Sequence, residues 1–175
     1  QIQQGKLVFT PQIVRLHQVL KETHQTLAPK AAELALDYAL VIDSNMPHWV
    51  RIDPHRFAQI FLNLLGNALK FTERGFVNTH VQFINDVNKV GHGTLILQVK
   101  DSGIGIEEEF LAHIFEPFVQ LDNQNEIDKD NSLRGNGLGL SITQALLKNL
   151  GGEITIQSKV GEGSTFEVHI PIQTT

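Results

Sequence analysis

Four segments of the chain carry apolar residues at the three- and four-residue spacing of an amphipathic helix. We expect helices over residues 11–35, 53–72, 107–115 and 138–150. Pro11 opens the first of these, and Pro29 ends or kinks it. Asp53 and Pro54 supply an N-cap and a first helical residue for the second, and Gly75 lies just beyond its end.

Apolar and polar residues alternate in several of the segments between these helices, which predicts strands. The expected strands cover residues 7–9, 36–43, 49–52, 76–84, 94–100, 153–158 and 165–172. The strand–helix–strand alternation of a parallel sheet is missing from the pattern. We therefore expect an α+β fold, a two-layer sandwich in which a mixed, mostly antiparallel sheet of about five strands is covered on one face by about three helices.

Composition narrows the class of protein. The 175 residues, 41% hydrophobic and 19% charged, are typical of one globular domain. The net charge of −5 argues against general binding to nucleic acid or anionic membranes. The chain has no cysteine, which excludes disulfides, thiolate metal sites and cysteine nucleophiles. No apolar run reaches the roughly 18 residues of a spanning helix, and residues 1–6 are expected to continue a longer protein.

Three polar residues interrupt the apolar helix predicted over 53–72. At about 100° per residue, Asn63, Asn67 and Lys70 fall within roughly 60° of one another. The apolar side of the same helix comprises Phe57, Phe61, Leu64, Ala68 and Phe71. The polar stripe is either a solvated edge, or amides that fix a neighbouring loop, or a site where an amide oxygen binds Mg²⁺ and the ammonium meets a phosphate. The helix alone does not decide between these interpretations.

Three glycine clusters follow along the chain: DSGIGI at 101–106, GNGLGL at 135–140 and GEGST at 161–165. Asp101 is a single acid at the end of a buried strand, where a carboxylate can accept a hydrogen bond from an exocyclic amine. Glycines before a helix let backbone N–H groups approach phosphates, and Thr165 can bond a base or a water. Each cluster alone is a weak signal, and the second lacks the spacing of a Rossmann fingerprint.

Taken in order, these motifs closely resemble the ATP-binding catalytic domain of sensor histidine kinases. The order is the polar stripe, DSGIGI, FEPF at 115–118, a polar loop, GNGLGL and GEGST. That domain belongs to the superfamily shared with gyrase, the mismatch-repair ATPase and a heat-shock chaperone, and the resemblance implies its Bergerat-type ATP-binding fold. The similarity extends from about Gly5 to Ile172. It implies that residues 1–6 end a preceding dimerisation helix, that 7–175 form the catalytic domain, and that 119–134 form its lid.

The resemblance also implies residue roles. Asn67 coordinates Mg²⁺, Asn63 supports the metal or the phosphates as a second candidate ligand, and Lys70 contacts phosphate. These three are the predicted catalytic residues. Asp101 accepts a hydrogen bond from the amino group of adenine, and Phe71 lies against the nucleotide. Further nucleotide contacts are implied for Gly103, Gly105, Ile106, Phe115, Phe118, Gly135, Gly137, Leu138, Gly139 and Thr165.

The implied activity is that of a protein-histidine kinase with ATP and Mg²⁺ as cofactors. It transfers the γ-phosphoryl group to a histidine on a separate dimerisation domain, for relay to an aspartate of a response regulator. ATP-hydrolysing members of the superfamily carry a Glu where this chain has Asn63. Because Asn cannot act as a general base, transfer to a protein is favoured over hydrolysis.

The implied partners are the histidine-bearing dimerisation domain of the same parent protein and a receiver domain, with no nucleic acid and no direct membrane contact. We expect a cytoplasmic location, a monomeric chain and a homodimeric parent. None of the eight histidines lies in a sequence like the acceptor motif, so we expect no autophosphorylation site here. They are His17, His24, His48, His55, His80, His92, His113 and His169.

Three alternatives remain. A regulatory nucleotide-binding module without phosphotransfer would usually lose the metal-binding Asn or the lid glycines, and both are kept. An ATP-hydrolysing member that dimerises on ATP is disfavoured by Asn63 and by the missing transducer domain. A redox or dinucleotide enzyme is disfavoured because no βαβ unit is present.

Overall fold

A computed structural model describes residues 8–116 and 139–174 of the chain. The helices within these residues are α1 (Leu16–Thr26), α2 (Ala28–Glu33), α3 (Pro54–Lys70), α4 (Glu108–Leu111) and α5 (Gly139–Leu150). The strands are β1 (Gln12–Arg15), β2 (Asp37–Ile42), β3 (Trp49–Ile52), β4 (Phe76–Asn85), β5 (His92–Asp101), β6 (Glu153–Lys159) and β7 (Gly163–Thr174). No described helix has the length and apolar character needed to cross a bilayer.

The seven described strands form one sheet in the order β1-β3-β7-β5-β4-β2, with β6 also paired to β7. Strand β6 pairs with the N-terminal half of β7, and β3 pairs with its C-terminal end, where Val50 lies opposite Thr174. Strands β2 and β4 are parallel, and the other pairs are antiparallel. The sheet is mixed and mostly antiparallel, as predicted, and it has seven described strands where a sheet of about five was expected.

One hydrophobic core joins the inward side chains of the sheet to the buried faces of α1, α3 and α5. The alternation predicted for β4 and β5 is confirmed, since Val77, Val81, Leu95 and Val99 are all fully buried. Burying an apolar side chain of this size contributes roughly 1.5–3 kcal/mol. The predicted α+β sandwich is therefore confirmed, and its core holds α3 firmly against the sheet.

The helix predicted over residues 11–35 is wrong at its start. Residues 12–15 form β1, an edge strand in which Gln12 lies opposite Ile52 of β3. Ile13 is 54% exposed, so its apolar side chain does not mark a buried helical face. Strand pairing outweighs the helical spacing here because the β-branched Ile13 and Val14 favour extended backbone. Residues 8–9 are not a strand, contrary to expectation, and residue 7 lies outside the described residues.

The other helices differ from expectation mainly in length. The first helical segment breaks at Leu27, and Pro29 lies in the first turn of α2, where its missing N–H costs nothing. The helix expected over 107–115 is reduced to the four residues of α4. The expected boundaries of α3 and α5 agree with the structure to within two residues.

Candidate nucleotide-binding site

Helix α3 is the scaffold of the candidate site. Asp53 caps its first turn, accepting hydrogen bonds at Oδ1 from the backbone N–H groups of His55 (3.0 Å) and Arg56 (3.1 Å). One face of α3 is buried in the core through Phe57, Ile60, Phe61, Leu64, Leu65, Ala68 and Leu69. Asn63, Asn67 and Lys70 are half-buried beside that face. The predicted polar stripe at the edge of a buried face is confirmed.

The Asn63 side chain holds a neighbouring element. Its Nδ2 donates to the backbone oxygen of Gly139 (3.2 Å) and to Oγ1 of Thr143 (3.1 Å). Both acceptors belong to α5, far away in sequence. The sequence left three interpretations of the polar stripe open. For the Nδ2 atom of Asn63, the structure supports the one in which an amide fixes a neighbouring segment. The Oδ1 atom takes part in neither bond.

Asp101 lies at the last position of β5 and is 4% exposed. Its Oδ1 accepts hydrogen bonds from the backbone N–H groups of Gly103 (2.9 Å) and Ser164 (3.2 Å). Burial raises the pKa of this carboxyl above its ordinary value, and the two backbone hydrogen bonds partly offset that rise. One carboxylate oxygen is thus fixed by the fold, and Oδ2 takes part in neither of these bonds.

Two glycines allow three chain segments to approach one another around Asp101. A Cβ on Gly103 would overlap the carbonyl oxygen of Phe71, the C-cap residue of α3. A Cβ on Gly163 would overlap the carbonyl oxygen of Asp101, and Gly163 has a φ of +111°, which L side chains rarely adopt. Close backbone packing between α3, the loop after β5 and the β6–β7 turn therefore explains Gly103 and Gly163.

These segments enclose a small pocket. Its lining residues are Asn67, Phe71, Asp101, Gly105, Ile106, Ser164 and Phe166. The pocket holds about 10 Å³, roughly the space one water needs. Five of the predicted site residues, Asn67, Phe71, Asp101, Gly105 and Ile106, meet in this one place.

Thr165, a predicted nucleotide contact, does not line this pocket. Thr165 lies opposite Lys100 and Gln157 in the sheet, so its side chain is on the face away from Asp101. Ser164 is the β7 residue that lines the pocket, opposite Asp101. The sequence carried a signal for this assignment. Alternation along β7 puts Phe166 on the buried face, and Ser164 shares that face because it is two residues away.

The remaining predicted residues do not line the pocket, and several lie outside the described part. Nζ of Lys70 is 5.1 Å from the centre of the Phe71 ring, beside the pocket wall. Phe115 is half-buried and packs against the core. Gly139 is the first residue of α5, and an added Cβ there would meet no described atom within 4 Å. Phe118, Gly135, Gly137, Leu138 and the loop 119–134 lie outside the described residues, as do residues 1–6.

The fold is that of an α+β domain with a small pocket beside α3, and comparison with known proteins gives its family. Residues 52–174 match the model of the histidine kinase-, DNA gyrase B- and HSP90-like ATPase family. The chain belongs to this family. The circadian input-output histidine kinase CikA of Synechococcus elongatus is 40% identical over 179 residues, covering 99% of this chain and 22% of that protein.

Hybrid signal transduction histidine kinase B of Dictyostelium discoideum is 35% identical over 170 residues, or 97% of this chain and 8% of that protein. The chain thus spans less than a quarter of the length of these two relatives. Full-length ShkA, solved in complex with AMPPNP, superposes with a TM-score of 0.75 at 29% identity, over 97% of this chain and 32% of that chain. The predicted resemblance to the catalytic domain of histidine kinases is confirmed.

The nucleotide-free catalytic domain of histidine kinase ThkA superposes with a TM-score of 0.70 at 24% identity. The match covers 95% of this chain and 99% of that domain, and at this identity it supports the fold alone.

Proposed function

We propose that this chain binds Mg-ATP in the pocket beside Asn67 and Asp101 and transfers the γ-phosphoryl group to a histidine of its parent protein. The observation that carries the proposal is the meeting of a buried carboxylate and a half-buried helical amide in one pocket. A carboxylate suits the amino group of adenine, and an amide oxygen suits a hard cation.

Base recognition rests on the orientation of Asp101. Because Gly103 and Ser164 both donate to Oδ1, the carboxylate is held in one orientation, and Oδ2 is the oxygen assigned to the amino group of adenine. Phe71, Ile106 and Phe166 provide apolar walls for the base. Ser164 replaces Thr165 as the proposed residue on this side of the base.

Phosphate and metal binding are assigned to the C-terminal half of α3. Mg²⁺ prefers oxygen ligands and usually keeps few protein ligands beside phosphates and waters, so the single amide oxygen of Asn67 fits it. When bound, Mg²⁺ neutralises charge that develops on the phosphates. Lys70, one turn along, brings an ammonium to the same side of the helix. The backbone N–H groups at the start of α5 are the further phosphate contacts proposed.

In the proposed reaction, a nitrogen of the acceptor imidazole forms a bond to the γ-phosphorus, and the bond from that phosphorus to the β–γ bridging oxygen breaks. ADP leaves with the electron pair of the broken bond. Catalysis then consists of positioning and charge neutralisation, which need no general base in this chain. Asn63 cannot supply such a base, so water activation by that residue is not available.

The partners proposed are the dimerisation domain that carries the acceptor histidine and a receiver domain that takes the phosphoryl group onto an aspartate. Relatives named as hybrid signal transduction histidine kinases support a multidomain parent. We assign the chain to the cytoplasmic side, as a monomer by itself and as part of a homodimeric parent.

The test is calorimetric titration with ATP, with and without Mg²⁺, of the wild type, Asn67→Ala and Asn149→Ala. Asn149 is an exposed helical Asn in α5 and is the matched control. Mg²⁺ should strengthen binding to the wild type and to Asn149→Ala, and it should have little effect on Asn67→Ala.

A second step adds the dimerisation domain of the parent protein and follows phosphohistidine formation from labelled ATP. Labelled histidine that depends on Asn67 supports the kinase. Binding without transfer would leave a regulatory nucleotide-binding module, and release of inorganic phosphate alone would indicate an ATPase. No binding at millimolar ATP would reject the site itself.

A further inference from the structure

Helices α3 and α5 are joined by a closed set of three hydrogen bonds. Asn63 Nδ2 donates to the Gly139 oxygen and to Thr143 Oγ1, and Thr143 Oγ1 donates to the Gly139 oxygen at 2.9 Å. Thr143 is 0% exposed, so its hydroxyl group is buried away from solvent. Thr143 was given no role by the motif pattern.

The chemistry of the three groups fixes their orientation. A backbone carbonyl is only an acceptor, so the Asn63 atom that faces Gly139 must be the amide nitrogen. The hydroxyl of Thr143 then donates to the Gly139 carbonyl and accepts from the Asn63 amide, so it acts as donor and as acceptor. Replacing Asn63 would leave the buried Thr143 hydroxyl with one hydrogen bond fewer. Replacing Thr143 would remove one hydrogen bond each from the half-buried Asn63 amide and from the Gly139 carbonyl.

The position of this contact matters because of what lies on either side of it. Asn67, the proposed metal ligand, is one helical turn beyond Asn63 on α3. Gly139 is the first residue of α5, whose first turn is proposed to bind phosphate. The contact therefore sets the distance between the two elements that are to hold the phosphates of one nucleotide.

We propose that Asn63 and Thr143 are a pair of positioning residues that hold the start of α5 in register with Asn67, and that Asn63 acts on phosphate binding through this contact. The inference rests on the proposed function and deepens it. It changes the implied role of Asn63 from a second metal ligand to a residue that acts through α5.

The experiment measures MgATP affinity by calorimetry and adenosine affinity by NMR titration for the wild type and Thr143→Val. Valine keeps the shape of threonine and removes the hydroxyl. We expect MgATP affinity to fall about tenfold, the equivalent of one good hydrogen bond. Adenosine has no phosphates, so its affinity should stay within about twofold of the wild type. Thr143→Ser keeps the hydroxyl and should retain most of the MgATP affinity.

Thr23→Val is the matched control. Thr23 is also buried in a helix, and its Oγ1 also donates to the carbonyl four residues earlier, that of Val19. Its helix, α1, takes no part in the pocket. Thr23→Val should therefore change stability as Thr143→Val does while leaving MgATP affinity unchanged.

A double-mutant cycle separates the two possible roles of Asn63. If Asn63 acts through this contact with α5, the double variant should lose no more MgATP affinity than Asn63→Ala alone, because Asn63 bonds both Thr143 and Gly139. Additive losses would mean that Asn63 contacts the metal independently, and they would overturn the proposal. An unchanged MgATP affinity in Thr143→Val, or an equal loss of adenosine affinity, would also overturn it. A wild type that binds no MgATP would instead reject the proposed function on which it rests.

Discussion

The orientation of Asp101 makes the replacement Asp101→Asn a specific probe of base recognition. Both backbone N–H groups that reach the side chain, those of Gly103 and Ser164, point at the same oxygen. An amide nitrogen cannot accept from them, so the Asn oxygen must take the Oδ1 position. The amide nitrogen is then forced into the Oδ2 position, where it presents a donor to the amino group of adenine, which is also a donor.

The magnitude follows from the bond that is lost. A hydrogen bond to a charged group contributes about 1.5–3 kcal/mol, which corresponds to a factor of roughly 10–150 in Kd. Two donors facing each other add to this loss. In inosine triphosphate an oxygen replaces the amino group of adenine, so the new amide nitrogen can donate to it. We expect the preference for ATP over inosine triphosphate to fall by at least about tenfold.

Stability should not fall with affinity. Asn keeps both hydrogen bonds at the Oδ1 position and has nearly the same shape. Burial raises the pKa of Asp101, which means that the folded state disfavours the charged form. Folded Asp101 therefore binds a proton more readily than unfolded Asp101. The stability that this proton contributes is lost as pH rises from the unfolded pKa through the raised folded pKa. The neutral Asn variant should melt at or above the wild-type temperature at pH 7.

The assay is parallel titration of both nucleotides, with thermal melts of each variant. Asp86→Asn is the control, because Asp86 accepts from the N–H two residues later at 2.9 Å, as Asp101 does, but lies exposed at the far end of β4. Three results in Asp101→Asn would refute the orientation argument: an equal loss of affinity for both nucleotides, an unchanged ATP affinity, or a marked fall in melting temperature.

Three further predictions concern stability. The hydroxyl of Thr79, which is 1% exposed, has no hydrogen-bond partner among the described residues, so Thr79→Val should stabilise the fold by about 1 kcal/mol or more in denaturant unfolding. A Cβ fits at both Gly66 and Gly139. Ala at Gly66 should therefore raise the free energy of unfolding by about 1 kcal/mol, and Ala at Gly139 should raise it by no more than that. Only Ala at Gly139 should weaken MgATP binding in titration. Burial lowers the pKa of His24, which stacks on Tyr38, from its ordinary value of 6.5. The unfolded chain therefore binds this proton first, stability should fall as pH drops below about 6.5, and His24→Phe should flatten that slope in melts against pH.

The sequence predicted the elements that depend on local pattern. The N-cap at Asp53, the buried face of α3 and the alternation of β4 each follow from spacing within one segment. Strand β1 was missed because a four-residue edge strand can show the same apolar spacing as a helix, and only its pairing with β3 distinguishes the two. Such pairing joins residues far apart in sequence, which periodicity does not report.

The site shows the same limit at the level of single atoms. Motif order identified Asn67 and Asp101 as members of one pocket, and the structure brings them together. Motif order alone did not distinguish Ser164 from Thr165, although alternation along β7 places Ser164 on the buried face with Phe166. It also could not show that Asn63 reaches α5, since the partner Thr143 lies 80 residues away.

The glycine clusters illustrate how one motif serves two physical demands. Gly103 and Gly163 are required by the fold itself, since a Cβ at either position would overlap a backbone oxygen beside Asp101. Gly139 has no such requirement among the described residues, because a Cβ there would have room. Gly139 lies at the start of α5, in the turn proposed to bind phosphate, so we propose that a ligand explains this glycine. The two kinds are alike in sequence, and Ala at Gly139 should separate them by leaving the fold intact while weakening phosphate binding.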